Sequence, residues 1–209
     1  MNCNLEMMKI LDDLKNKNEV KRLLLHSCCG PCSSYVISLL SDYFDIDVIY
    51  YNPNIEPELE YLKRKENQIK FIKNYKSKNK INFIECDYNN KDYRNYVEGF
   101  ESCKEGGQRC YLCIELRLLF TTKFAKNNNY DYFASTLSVS PHKNSLWINE
   151  IGNKLSKEYS INYLINDFKK NDGYLKSIKL SKEYDLYRQN YCGCLFSKSY
   201  LEKKDNQIK

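Results

Sequence analysis

No apolar run among the 209 residues approaches the roughly 20 that a membrane-crossing helix needs. The opening stretch, MNCNLEMMKILDDLKNKNEVKR, carries acidic side chains and no uninterrupted apolar core, which argues against a secretory leader. The expected address is therefore cytoplasmic. Internal repeats are absent, and no linker is long enough to divide the chain. One catalytic domain over residues 1–209 is expected, with the C-terminal helical segment from about 168 to 209 completing a metal site.

What is present suits a folded globular protein, with 42% hydrophobic and 29% charged residues. The net charge of +6 hints at a polyanionic partner such as a nucleic acid. The abundance of Lys, Asn, Ile and Tyr has the look of AT-rich coding, which raises lysine without functional cause. The six arginines are more informative, because the guanidinium is the better phosphate fork. Three of them, Arg109, Arg117 and Arg188, lie within four residues of a clustered cysteine.

Apolar runs of strand length alternate with helical periodicities along the chain. Leu5, Met8, Leu11 and Leu14 mark a first helix, and KRLLLHSC reads as a short buried strand. CSSYVISLLSDYF reads as a helix opening after Gly30-Pro31, and DIDVIYYNP as a second strand. A long helix from Pro57, the strand INFIECDY, a brief helix over KDYRNYVEGF and a periodic helix from Arg109 follow. YDYFASTL and INYLIND complete a set of four to five strands, and the C-terminal part reads as helix, turn and helix. Such alternation predicts an α/β fold with a parallel sheet flanked by helices. Ligands of these sheets bind at the carboxyl ends of the strands, and LLLHSCCGPC forms the first strand-to-helix loop at that edge.

Ten cysteines are too many for incidental use in a reducing compartment, where clustered thiols are metal ligands or redox catalysts more often than disulfides. Seven fall in three groups: Cys28, Cys29 and Cys32; Cys110 and Cys113; Cys192 and Cys194. Cys110 and Cys113 share one face of a helix start, where the helix dipole favours thiolate. Gly106-Gly107 beside them lets backbone approach a bulky inorganic centre. Cys192-Gly193-Cys194 places both sulfurs on one side if extended, and a local disulfide is the alternative. Adjacent Cys28 and Cys29 must diverge, to different irons of a cluster or to two centres. Seven thiols exceed one zinc site, whereas an iron–sulfur cluster takes four and tolerates scattered spacing. Of the other three cysteines, Cys3 is expected to be terminal and solvated, Cys86 to close a strand in the core, and Cys103 to lie near the site.

Taken in order, HSCCGPC, EGGQRCYLCIELRL, TLSVSPHKN, DFKKNDGY and YRQNYCGC resemble the cobalamin-independent epoxyqueuosine reductases over about residues 20–198. The resemblance implies a fold similar to the nucleotide-binding α/β group that includes the PP-loop enzymes. It implies reduction of epoxyqueuosine at the wobble position of tRNA to queuosine, a [4Fe-4S] cluster and a neighbouring iron. Carried over, it makes Cys28, Cys29, Cys110 and Cys113 the cluster ligands. It makes Cys192 and Cys194 the redox pair or part of a second metal site, with Cys32 a further ligand. The first loop lacks the SGGxDS pattern that cradles ATP phosphates, so ATP use is not expected. Opening an epoxide to an alkene takes two electrons and two protons. No ferredoxin-like domain fits in this length, so electrons are expected from an external ferredoxin- or flavodoxin-like donor.

His142, Lys143, Asp167 and Arg188 are the candidate substrate contacts, and His26 is weighed as a core residue against a site residue. Asp167 is alternatively a helix cap, and Arg188 a phosphate contact or a balance for the cluster. Two other functions compete on sequence alone. One is a zinc-stabilised RNA-binding module without catalysis, and the other is a PP-loop-like tRNA thiolase or nucleotidyl enzyme.

Overall fold

The computed structural model describes residues 2–198. Its first helix, α1 (Cys3–Lys17), is capped by Asn2, whose side-chain oxygen accepts from the Leu5 N–H. The buried seam is Cys3, Met7, Leu11 and Leu14. Leu5, placed in the seam by periodicity, is 56% exposed, and Cys3, expected in solvent, is 9% exposed. The two stripes share Leu11 and Leu14, so spacing alone cannot fix the edge of a wide apolar face; docking on the sheet does.

Five strands follow: β1 (Lys21–His26), β2 (Phe44–Tyr50), β3 (Ile81–Glu85), β4 (Tyr132–Ser135) and β5 (Asn162–Tyr163). They form one all-parallel sheet in the order β3-β2-β1-β4-β5. The helices between them are α2 (Gly30–Leu40), α3 (Glu58–Asn74), α4 (Asn90–Tyr96), α5 (Gln108–Asn127), α6 (Ser145–Tyr159) and α7 (Gly173–Glu183). Side chains of β1 alternate between two cores, as the period of a strand requires. Leu23 and Leu25 join α1 and α2 on one face, while Leu24 joins α5 and α6 on the other. All three are fully buried, each contributing about 2 kcal/mol of apolar burial. A strand covered on both faces reads as a continuous apolar run, which is why LLL appears where it does.

Two elements are shorter than their sequence patterns. YDYFASTL pairs only over Tyr132–Ser135, because Ser135 Oγ accepts from the Leu137 N–H and turns Thr136–Val139 into a 3-10 helix. INYLIND pairs only at Asn162 and Tyr163, after which Asn166 is buried in side-chain hydrogen bonds with Asn149 and Ser138. The helix–turn–helix expected at the C-terminus becomes α7, an irregular strap over residues 184–194, and helical residues at 195–198. The part of the expected 168–209 segment beyond 198 lies outside the described residues. Among the described residues no helix is long and apolar enough to cross a membrane.

Strand order sets the position of the site. From β1 the chain builds outward to β2 and β3, then returns to β4 and β5 on the other side. The loops leaving β1 and β4 therefore diverge, and they open a crevice at the carboxyl edge. Ser27–Cys29 and the Thr136–Val139 turn flank it.

Candidate metal centre

The loop after β1 is held from three sides. Ser27 N–H donates to Ile49 O at 3.1 Å, Asn52 Nδ2 donates to Ser27 O at 2.8 Å, and Ser27 Oγ donates to Gln68 Oε1 at 2.6 Å. Helix α2 then begins at Gly30-Pro31 with extended Cys29 as its N-cap. Gly30 is required by close approach: a Cβ there would stand 2.8 Å from Asn67 O of α3. The result is a rigid corner carrying Cys28, Cys29 and Cys32, whose sulfurs all lie within 4.8 Å of one another. The Cys28 and Cys29 sulfurs are 3.8 Å apart. Three thiols this close do not ionise alike. Hydrogen bonds from Cys28 and Cys32 hold Cys29 well below the usual thiol range, with help from Arg64. Gln189 Nε2 adds a further donor to the Cys29 sulfur at 3.1 Å. Cys32 is pushed up in turn, because its neighbours take its proton as a hydrogen bond.

A second set of thiols comes from α5 and the C-terminal strap. Cys110 Sγ accepts from the Gly106 N–H at 3.3 Å. Cys113 packs with Cys194, Tyr93 and Val97, and burial pushes its thiol up to about 11. Burial raises Cys194 as well. Cys192 Sγ accepts from Lys143 Nζ at 2.7 Å. Burial alone would push the Lys143 ammonium down, but the Cys192 sulfur beside it holds it up. All ten cysteines are free, so Cys192 and Cys194 are not joined in this structure, contrary to the disulfide alternative. Gly193 between them adopts φ +140°, a conformation that other residues rarely take.

The strap that carries this pair is pinned to the β2–α3 loop and to α3. Glu56 N–H donates to Gly193 O at 2.9 Å, and Tyr191 OH donates to Glu56 O at 2.7 Å. Arg64, paired with Glu60, donates to the carbonyls of Cys192 and Tyr191. Arg117 lies within electrostatic reach of both thiol sets, and Cys113, Cys192 and Cys28 act on it. Three cations, Arg64, Arg117 and Lys143, thus stand among the thiols.

The other expected residues fall in different places. His142 is exposed on the loop between the 3-10 turn and α6. Lys143, expected to meet substrate, is already engaged by Cys192. Asp167 is half-buried, with Oδ1 buried and without a partner among the described residues. Arg188 is exposed, and its guanidinium turns back to Ser181 Oγ at 3.0 Å. Cys103 offers its carbonyl to Arg109. His26 is a core residue. Nε2 faces Tyr51 O, which only accepts, so Nε2 carries the proton and Nδ1 accepts from Ser135 Oγ at 2.9 Å. Burial, with Arg117 nearby, lowers it to about 4. Cys110 and Cys113 do not join the 4.8 Å triad of Cys28, Cys29 and Cys32. Sequence reading passed over Arg64 and Gln189. Arg64 reaches the Cys192 carbonyl across 128 residues and Gln189 reaches the Cys29 sulfur across 160, so no spacing pattern marks either contact.

The family described as epoxyqueuosine reductase QueH matches residues 23–200. The chain belongs to the epoxyqueuosine reductase QueH family. The family's member from Staphylococcus epidermidis is 39% identical over 201 residues, covering 94% of this chain and 84% of the relative. The Streptococcus pyogenes member is 44% identical over 177 residues, covering 84% and 69%. Among solved structures, the U34-tRNA thiolase NcsA from Methanococcus maripaludis with its [4Fe-4S] cluster is similar in fold. It has a TM-score of 0.50 and 14% identity, over 96% of this chain and 73% of that one. This likeness supports the PP-loop-like fold expected for a QueH-family chain.

The donor set of this chain fits a thiophilic metal. The triad is all sulfur, it sits at a helix N-terminus, and buried cations stand ready to balance an anionic thiolate group. A cysteine triad of this kind can bind a metal ion.

Proposed function

We propose that the chain reduces the epoxide of epoxyqueuosine in the tRNA anticodon loop to the alkene of queuosine, as an oxidoreductase of its family. The observation that carries this reading is the thiol triad at the switch point of a chain whose family is named for that reaction. The reaction consumes two electrons and two protons and releases the epoxide oxygen as water. A [4Fe-4S] cluster would supply the electrons one at a time, recharged by an external ferredoxin- or flavodoxin-like donor. Cys28, Cys29, Cys110 and Cys113 would hold it, with Cys32 available to a second, mononuclear iron. Cys192 and Cys194 serve as the redox pair or complete that second site.

The chain's own residues shape the rest. Lys143 holds a proton at Nζ against the Cys192 sulfur, 2.7 Å away. His142, Asp167 and Arg188 would serve as contacts for the base and its phosphates. The carbonyl-rich strap pinned by Arg64 keeps Cys194 from water. A modified base must leave the loop stack to reach this crevice, and a single-stranded loop lowers that cost.

The test is anaerobic reconstitution followed by single-turnover reduction of an epoxyqueuosine-containing anticodon stem-loop. A brown protein with iron and sulfide that forms queuosine supports the reading. A colourless zinc protein that binds the loop and leaves the epoxide intact would replace it with a binding module.

A further inference from the structure

Arg117 is 2% exposed, yet the ion pairs of the described residues that use arginine belong to Arg22, Arg64 and Arg94. Its Nε donates to Cys113 O at 2.9 Å, and Nη2 is buried with no partner among the described residues. The titratable groups within its electrostatic reach are thiols from both sets, Cys113 and Cys192 from one and Cys28 from the other, together with Tyr93 and the Lys143 ammonium. Arg64 has Glu60, and Lys143 has Cys192 at 2.7 Å. A buried cation without an acidic partner is costly, and it persists where the occupied site supplies negative charge. Thiolates and an iron–sulfur group supply it. In so dry a place the charge acts with little screening, and hydrogen bonds and charge near cluster sulfur set reduction potential.

We propose that Arg117 is a positioning residue that raises the reduction potential of the iron–sulfur group held by the surrounding thiols. The proposal rests on the cluster reading given above. An added electron makes that group more negative, so a fixed guanidinium with a free N–H stabilises the reduced form more than the oxidised one. The helix makes this placement: Arg117 is four residues after Cys113, one turn along the same face.

The experiment is a spectroelectrochemical titration of the reconstituted full chain, with iron and sulfide measured alongside. Arg117→Gln is expected to keep its iron and shift the midpoint potential negative, and Arg117→Lys to restore most of the shift. Arg22→Gln, which removes an exposed arginine at the opposite end of β1, is expected to titrate as wild type. Should Arg117→Gln not accumulate, Arg117→Met takes its place. Unchanged potential in a neutral variant with full iron overturns the proposal. So does a chain that tolerates only lysine at 117, at wild-type potential with both neutral variants unfolded, because the charge is then structural. A wild-type chain without iron and sulfide sinks the cluster reading itself, and the proposal with it.

Discussion

Arg64 ties the CGC strap to the body of the protein, and replacing it isolates what that tie contributes. It is 1% exposed and makes three bonds: Nε to Glu60 at 2.7 Å, Nη1 to Cys192 O at 3.0 Å and Nη2 to Tyr191 O at 3.2 Å. Only the last two cross to the strap. Hydrogen bonds to a charged group are worth about 1.5–3 kcal/mol each, so Arg64→Met removes at least about 3 kcal/mol from strap closure. That is a factor of about 150 in the opening equilibrium. Methionine fills the volume of the arginine stem and Glu60 keeps the Tyr187 hydroxyl, while the Glu60 pair that is also lost lies within α3. The readout is alkylation of Cys194 in the metal-free, reduced chain, followed by mass spectrometry, with Cys86 as internal reference. Cys194 is 7% exposed and must wait for the strap to open, whereas Cys86 lies beyond β3, half-buried. The rate at Cys194 should rise by about two orders of magnitude while Cys86 changes little. A wild-type rate at Cys194 would refute the reasoning, as would a parallel rise at both, which would mean that Arg64 holds the whole fold.

Three further outcomes follow from the site. Cys110→Ala and Cys113→Ala should abolish visible iron–sulfur absorption, whereas Cys192→Ser and Cys194→Ser should keep much of it and lose turnover; equal loss of iron in all four would mean one shared site. Affinity for the anticodon stem-loop should fall steeply with salt, and Arg188→Gln with Lys170→Gln should flatten the slope by about one to two units, as measured by fluorescence titration at several salt concentrations. Lys169 donates to Lys143 O, so its replacement should disturb the site as well as the RNA contact. Gly30→Ala sets a methyl carbon against Asn67 O and should cost about 1–3 kcal/mol in urea unfolding, with loss of iron out of proportion to the loss of stability; an unaffected midpoint would show that α2 and α3 separate freely.

The sequence by itself determined the layers of this fold and the residue types of its site. Continuous apolar strands, helices with apolar stripes between them and a thiol-rich first loop are local properties, carried by residues within a few positions of one another. Cys28, Cys29 and Cys32 meet because one tight corner holds them, and the CxxC of α5 shares a face because a helix turns every 3.6 residues. The tertiary structure decided what surrounds them. Strand order places the β1 and β4 loops on opposite sides of one crevice, and no local pattern encodes that order. Lys143 meets Cys192 across 49 residues, Arg64 meets its carbonyl across 128, and Gln189 meets Cys29 across 160. Such contacts form only when the sheet has assembled and the C-terminal strap has crossed α3. The charges that tune the thiols are therefore set by packing between distant segments, where single-residue spacing carries no signal.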